Sequence, residues 1–248
     1  MANPIPHNEW RQLIDFEPQS IVLFGSYARN DYSEESDIDI LLLSSKYYPP
    51  LQVGKFSVST YSKSKLLEFA NKGSLFVLHL IKEAKILEGE NILEILNQEY
   101  SMPDFAKLEA ELLNSCKLLQ VDNKEFLKYS TNIIGVQKFI LRSILYSQNV
   151  RNGNEIFNIQ KVLTQLDLTK LGYIFDRNFQ KNVSYIQYLE ISNTIEKLLG
   201  TKFGKSPNSI EATIFNNFPK KNLLHTLGMS ILKIDSIGID YPKLILDV

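Results

Sequence analysis

The sequence predicts an α+β protein: an N-terminal mixed sheet flanked by helices, followed by a C-terminal all-α helical bundle. Three observations carry this. Residues 21–24, 37–43 and 55–61 are short apolar or alternating runs of strand length, all in the first part of the chain. From about Ser101 apolar residues recur at helical spacing, and strand alternation does not return convincingly before the chain end. Between the periodic stretches lie turn formers, among them the polar run 30–36, Pro49-Pro50 and Asn152-Gly153-Asn154. The expected division is therefore 1–100 and 101–248.

Each element has a local reason. Asn8 is placed to cap a short helix over 8–16, with Trp10, Leu13 and Ile14 on its apolar side. Residues 21–24 are wholly apolar, as suits a buried strand, and a short helical turn over 27–29 follows Gly25-Ser26. The next strand is 37–43. Residues 44–54 are expected to be a loop, with Tyr47 and Tyr48 serving as ordinary packing. In 55–61, Phe56, Val58 and Thr60 share one face, while Ser57, Ser59 and Tyr61 share the other. Ser62 or Ser64 can cap a helix through Ala70, and the helical pattern resumes over 72–84 with His79 as a packed histidine. Helices are then expected over 103–119, 123–149, 155–166, 168–175 and 185–199, the last ended by Gly200. Residues 200–208 read as a loop carrying Lys202 and Lys205. Residues 210–215 give no decisive pattern. Pro219 opens a last helix to about 234, and the apolar tail should pack back.

The chemistry concentrates in 21–43. Side chains two apart on a strand point the same way, so Asp37 and Asp39 share a face while Ile38 and Ile40 turn into the core. Adjacent carboxylates repel, and a divalent cation between them relieves this; an oxygen-only donor set suits Mg²⁺, with Mn²⁺ as a substitute. Gly25 allows a close backbone approach at the end of the preceding strand. Ser26 and the amides after it stand where phosphate oxygens could be held.

Gly25-Ser26, ten intervening residues and then Asp37-Ile38-Asp39 resemble the signature of the polymerase-β-type nucleotidyltransferase superfamily. The flanking residues, and the run 73–89, are similar to stretches of its small bacterial and archaeal members, which implies a short strand over 85–88 after the preceding helix. The resemblance implies that Asp37 and Asp39 bind the metal and carry catalysis. It further implies that Gly25, Ser26 and Arg29 bind an NTP, ATP above all. The transferred group would be a nucleoside monophosphate, AMP first among them, with a hydroxyl of a protein or small molecule as acceptor. The 101–248 part would bind the acceptor or a partner, in a homodimer or with a helical partner protein. Complete members of the superfamily carry a third acid on the strand after Asp-x-Asp. Here that strand is 55–61, which holds neither Asp nor Glu; Ser57 or Ser59 occupies the position, and the next carboxylates, Glu68 and Glu83, fall on predicted helices. A catalytically impaired nucleotide-binding regulatory module of the same fold is the alternative.

Composition narrows the classes further. The 28 acidic and 27 Lys/Arg residues give a net charge of −1, so no global field draws in nucleic acid or an anionic membrane. No apolar run reaches membrane-spanning length. The one cysteine, Cys116, and an N-terminus without signal-peptide character lead to the expectation of a cytoplasmic protein. Arg142, Arg151 and Arg177 have no histidine shortly after them, which argues against ribonuclease chemistry in the helical part.

Overall fold

The computed structural model describes residues 11–12, 14–176, 179, 182–204, 209–217 and 222–232. The expected helix around Asn8 and Trp10, the end of the 200–208 loop with Lys205, Pro219 and the C-terminal tail lie outside these residues. Two compact units divide the chain, Met1–Met102 and Pro103–Val248.

In the first unit, β1 (Ser20–Phe24), β2 (Ile38–Leu43), β3 (Leu51–Val53), β4 (Phe56–Tyr61) and β5 (Lys85–Gly89) form a sheet in the order β3-β4-β2-β1-β5. The β2–β4 pair is parallel and the others are antiparallel, so the sheet is mixed. Alternation sorts the strand residues onto two faces. Ile21, Leu23, Ile38, Ile40, Leu42 and Val58 form one core, joined by Tyr27 and Ala28 from the short helix α1 (Gly25–Arg29). Helices α2 (Lys63–Asn71) and α3 (Leu75–Glu83) meet the opposite face: Phe24 packs edge-on against Phe76 at 5.8 Å between ring centres, and Tyr61 meets Phe69 and Phe76. Leu41 and Leu43 are fully buried there, each contributing roughly 1.5–3 kcal/mol relative to exposure. Ser62, one of the two expected caps, accepts the Lys65 amide proton at 3.2 Å.

Two elements depart from expectation. Residues 51–53 were expected within a loop, yet they pair with β4 across a turn at Gly54. This edge strand is only three residues long, and Leu51 and Val53 are half exposed, so it has no buried face to imprint a pattern. Helix α4 (Ile92–Glu99) was not anticipated. It follows β5 closely and anchors itself through Ile92 and Leu96, both fully buried.

Among the described residues the second unit is helical. It comprises α5 (Phe105–Ser115), a 3₁₀ turn (Cys116–Leu119), α6 (Asn123–Arg151), α7 (Ile159–Gln165), a second 3₁₀ turn (Thr169–Phe175), α8 (Tyr185–Leu199), α9 (Ile210–Phe215) and α10 (Leu223–Leu232). Side-chain caps explain several starts: Asp104 accepts the Lys107 amide proton, Asp122 that of Glu125, and Ser184 forms a reciprocal box with Gln187. Helix α7 begins four residues later than the sequence pattern suggests. Asn158 caps it by accepting from the Lys161 amide, while Asn149 donates to the carbonyls of Asn154 and Ile156 and holds that stretch out of the helix. The 29-residue α6 is irregular at Tyr129, where Lys128 and Tyr129 both bond Glu211 of α9. Its middle is locked to α8 by the buried Gln137, which donates to the Tyr188 carbonyl at 2.9 Å and to the Ser192 hydroxyl at 2.8 Å.

Tyr188 is fully buried, and its hydroxyl donates to the Leu119 carbonyl. Replacing it by Phe leaves that carbonyl unsatisfied, and denaturant unfolding should show a loss of about 1–3 kcal/mol with an unchanged m-value. The buried Cys116 thiol is pushed up to about 12 by burial and by the nearby Glu196 carboxylate. Its folded pKa exceeds the unfolded one, so the folded state retains a proton that the unfolded state loses. Stability should therefore decline as pH rises from about 9 towards 12. A thiol reagent at neutral pH should modify Cys116 only after denaturation.

Candidate active site

The site is built where β1 ends and β2 begins. These strands run antiparallel with Phe24 opposite Asp39, so the residue after β1 lies against the Asp39 side chain. That residue is Gly25, with φ of +71°. A Cβ there would stand 2.4 Å from Asp39 Oδ2 and 3.3 Å from its Cγ. Only glycine meets both conditions, since other L-residues resist this backbone region and would strike the carboxylate. The close approach expected of Gly25 is therefore an approach to Asp39.

Helix α1 begins at Gly25. No side chain caps its first turn, Ser26 is half-buried beside Gly25, and Tyr27 and Ala28 are buried in the sheet core. The turn ends at Asn30, which takes the left-handed conformation at φ 60° and ψ 31°, and the Asp31 amide donates back to the Ser26 carbonyl at 3.1 Å. Tyr32 stacks on Tyr27 with ring centres 4.1 Å apart. Asp37, immediately before β2, and Asp39 within it are both half-buried, while Ile38 and Ile40 are buried in the core on the other side. The Ile38 amide donates to the Lys55 carbonyl at 2.7 Å, fixing the start of the strand beside β4.

The parallel β2–β4 register puts Ser57 beside Asp39 and Ser59 beside Leu41. Paired residues of adjacent strands face the same way, so Ser57 is the neighbour of Asp39 on its own face, and it is buried. The Ser59 hydroxyl donates to the Ile40 carbonyl at 3.4 Å. Neither helix supplies an acid in compensation. Glu68 on α2 is exposed between Lys65 and Lys72, and Glu83 on α3 is paired with Arg29. Among the described residues no group of three or more His, Cys, Asp or Glu side chains is arranged to hold a metal ion. Asp39 within β2 and Asp37 just before it are oxygen donors of the kind that suits a hard divalent cation.

Arg29, expected to bind the nucleotide, is bonded to two carboxylates of the protein. Its Nη1 donates to Glu83 Oε2 at 2.8 Å and its Nε to both Asp31 oxygens at 3.0 and 3.1 Å. Burial alone would depress the guanidinium, but the Asp31 and Glu83 bonds outweigh it and hold Arg29 above its ordinary value. His79 is packed, as expected, and its Nε2 also meets Glu83 Oε2, at 3.0 Å. This cluster was not foreseen. The only sequence signal was the i, i+4 spacing of His79 and Glu83. In the helical unit Arg142 is half-buried with its guanidinium over the Phe175 ring, and Lys138, one turn away, is depressed to about 8 by burial and by the Arg142 charge.

Replacing Gly25 by Ala tests the contact with Asp39. The unfavourable φ alone should cost about 1–2 kcal/mol in thermal or denaturant unfolding, and a crystal structure of the variant should show the Asp39 carboxylate displaced. A Gly25→Ala variant of unchanged stability and unchanged Asp39 geometry would overturn this account of the turn.

Comparison with known proteins agrees with the geometry. Residues 8–99 match the nucleotidyltransferase domain family. Three proteins of Methanocaldococcus jannaschii named as candidate protein adenylyltransferases are similar over shorter stretches. One is 44% identical over 55 residues, 22% of this chain and 46% of the relative. A second is 45% identical over 53 residues, 21% of this chain and 51% of the relative. The third is 72% identical over 25 residues, 10% of this chain and 25% of the relative. The chain thus spans about half the length of the first two and less of the third. With the Gly25 turn closing on Asp39 between two interior strands of a mixed sheet, residues 8–99 are a nucleotidyltransferase domain of the polymerase-β type.

Proposed function

We infer that this chain is a Mg²⁺-dependent nucleotidyltransferase that moves AMP from ATP to a hydroxyl group and releases pyrophosphate. The observation that carries the reading is the close approach of the Gly25 backbone to the Asp39 carboxylate, which brings the turn against the acidic strand. In this reading Asp37 and Asp39 hold one cation, for which Mn²⁺ would substitute. The bound ion neutralises charge on the triphosphate. Gly25 and Ser26 hold phosphate oxygens through the uncapped amides of their turn. The acceptor oxygen forms a bond to the α-phosphorus while the bond from that phosphorus to the bridging oxygen breaks. Pyrophosphate leaves with the electron pair, and the hydroxyl proton passes to water. The names of the relatives favour a protein hydroxyl as acceptor over a small molecule. The helical unit then serves acceptor or partner binding. No helix among the described residues is long and apolar enough to cross a membrane, and the single buried cysteine suits a reducing compartment, so we assign the protein to the cytoplasm.

One observation favours a second reading. Ser57, in register with Asp39, stands where a third carboxylate would help activate the acceptor. A chain that binds nucleotide without turning it over would be the impaired regulatory module. Incubation with α-labelled ATP, Mg²⁺ and cell extract separates the two. Label should enter an acceptor, vanish on chelation of the metal, and fall by about 100-fold or more in Asp37→Asn and Asp39→Asn, matching the several kcal/mol of charge stabilisation that a bound ion supplies. Nucleotide binding with no labelled product at any metal concentration would leave only the module.

A further inference from the structure

Helix α3 touches both ends of the Gly25–Arg29 turn. At the C-terminal end, Arg29 reaches Glu83 at 2.8 Å. At the other, the His79 ring packs edge-on against Phe24, the residue immediately before Gly25, with ring centres 6.2 Å apart and planes at 80°. His79 and Glu83 sit one helical turn apart and meet each other at 3.0 Å, and His79 Nε2 lies 3.5 Å from Arg29 Nη1. All three polar side chains are largely withdrawn from water, at 18% exposure for Arg29, 11% for Glu83 and 9% for His79. A withdrawn pair of this kind is costly to break from one side, because the remaining charge keeps its desolvation penalty. Phe24 is also the residue opposite Asp39. The grip on it therefore bears on the strand pairing that sets the Gly25–Asp39 contact.

We propose that Glu83 and His79 are positioning residues, through which α3 clamps the turn from Phe24 to Arg29 so that the Ser26 region and Asp39 face one phosphate chain. Arg29 is the clamp's handle: with carboxylates on two sides, its charge is spent on holding the turn. The functional half of this proposal rests on the nucleotidyltransferase reading above; the anchoring half does not.

The test uses the full-length protein and Mg²⁺-ATP as probe. Glu83→Gln keeps the shape of the side chain and removes its charge. It should weaken ATP affinity in calorimetric titration by about 10-fold, in line with what a small misplacement of a site costs. It should also speed amide exchange at Asn30 and Asp31. Glu83→Asp retains the charge and should recover part of both effects; it also carries the test if Glu83→Gln fails to fold. Because Glu83 acts through Arg29, adding Glu83→Gln to Arg29→Ala should change affinity little further. The exposed control Glu68→Gln should leave both readouts unchanged. Wild-type affinity and exchange in Glu83→Gln, or additive losses in the double variant, would overturn the proposal. A wild-type chain that binds no nucleotide, with the exchange difference intact, would instead overturn the nucleotidyltransferase reading while supporting the anchoring.

Discussion

The approach of the Gly25 backbone to the Asp39 carboxylate is the constraint on which the N-terminal unit turns. It requires β1 and β2 to pair with Phe24 opposite Asp39 and in no other register. That register in turn sends Ile38, Ile40 and Leu42 into the core with Ile21 and Leu23. A slip by one residue would exchange the faces, driving Asp39 into the core of Ile21 and Leu23 and turning the isoleucines towards α2 and α3. Packing and chemistry are thus fixed by the same pairing. The apolar residues of β2 enforce the orientation of its acids, and the missing Cβ of Gly25 allows the turn to close on one of them.

How legible this was depended on whether the deciding forces were local. β1, β2 and β4 could be read because each carries an apolar run or an alternation, β5 only through the resemblance of its stretch to known relatives, and the Ser62 cap because its bond spans three residues. The helix Tyr185–Leu199 was read to its ends from its periodicity and from Gly200, and the Ser184–Gln187 box is the chemistry that starts it. β3 left no trace, because a three-residue edge strand with half-exposed Leu51 and Val53 needs no hydrophobic alternation. Helix α7 was read too long because the tie from Asn149 to the 154–156 stretch lies in the preceding helix, beyond any local pattern.

The site divides in the same way. Gly25, Ser26, Asp37 and Asp39 lie within fifteen residues, and their resemblance to a known signature singled them out; the structure sets Gly25 against Asp39. Arg29 lay in the same stretch, yet its partner Glu83 is 54 residues away, so nothing local could disclose that its guanidinium is already engaged. Lys128, Tyr129 and Glu211 teach the same lesson in the helical unit, where a bond across more than 80 residues accompanies the irregular turn of α6.

The charges of the two acidic groups explain why serine at position 57 changes more than a ligand count. An aspartate there would lie on the face of Asp39, in a position that is buried. A third carboxylate in such surroundings is tolerable only when cations accompany it, because desolvation and like charge both oppose its ionisation. Arg29 is ill placed to relieve that load, being held by Asp31 and Glu83. With serine, the acids are Asp39 in β2 and Asp37 just before it, a pair whose charge one divalent ion would balance in the proposed reading. In the proposed reaction an ion held by Asp37 and Asp39 would serve the triphosphate, and the acceptor hydroxyl would pass its proton to water or to a base of the acceptor itself. On that account the chemistry would be slow unless the acceptor is held close to the α-phosphorus, and rate would depend on acceptor binding more than on nucleophile activation.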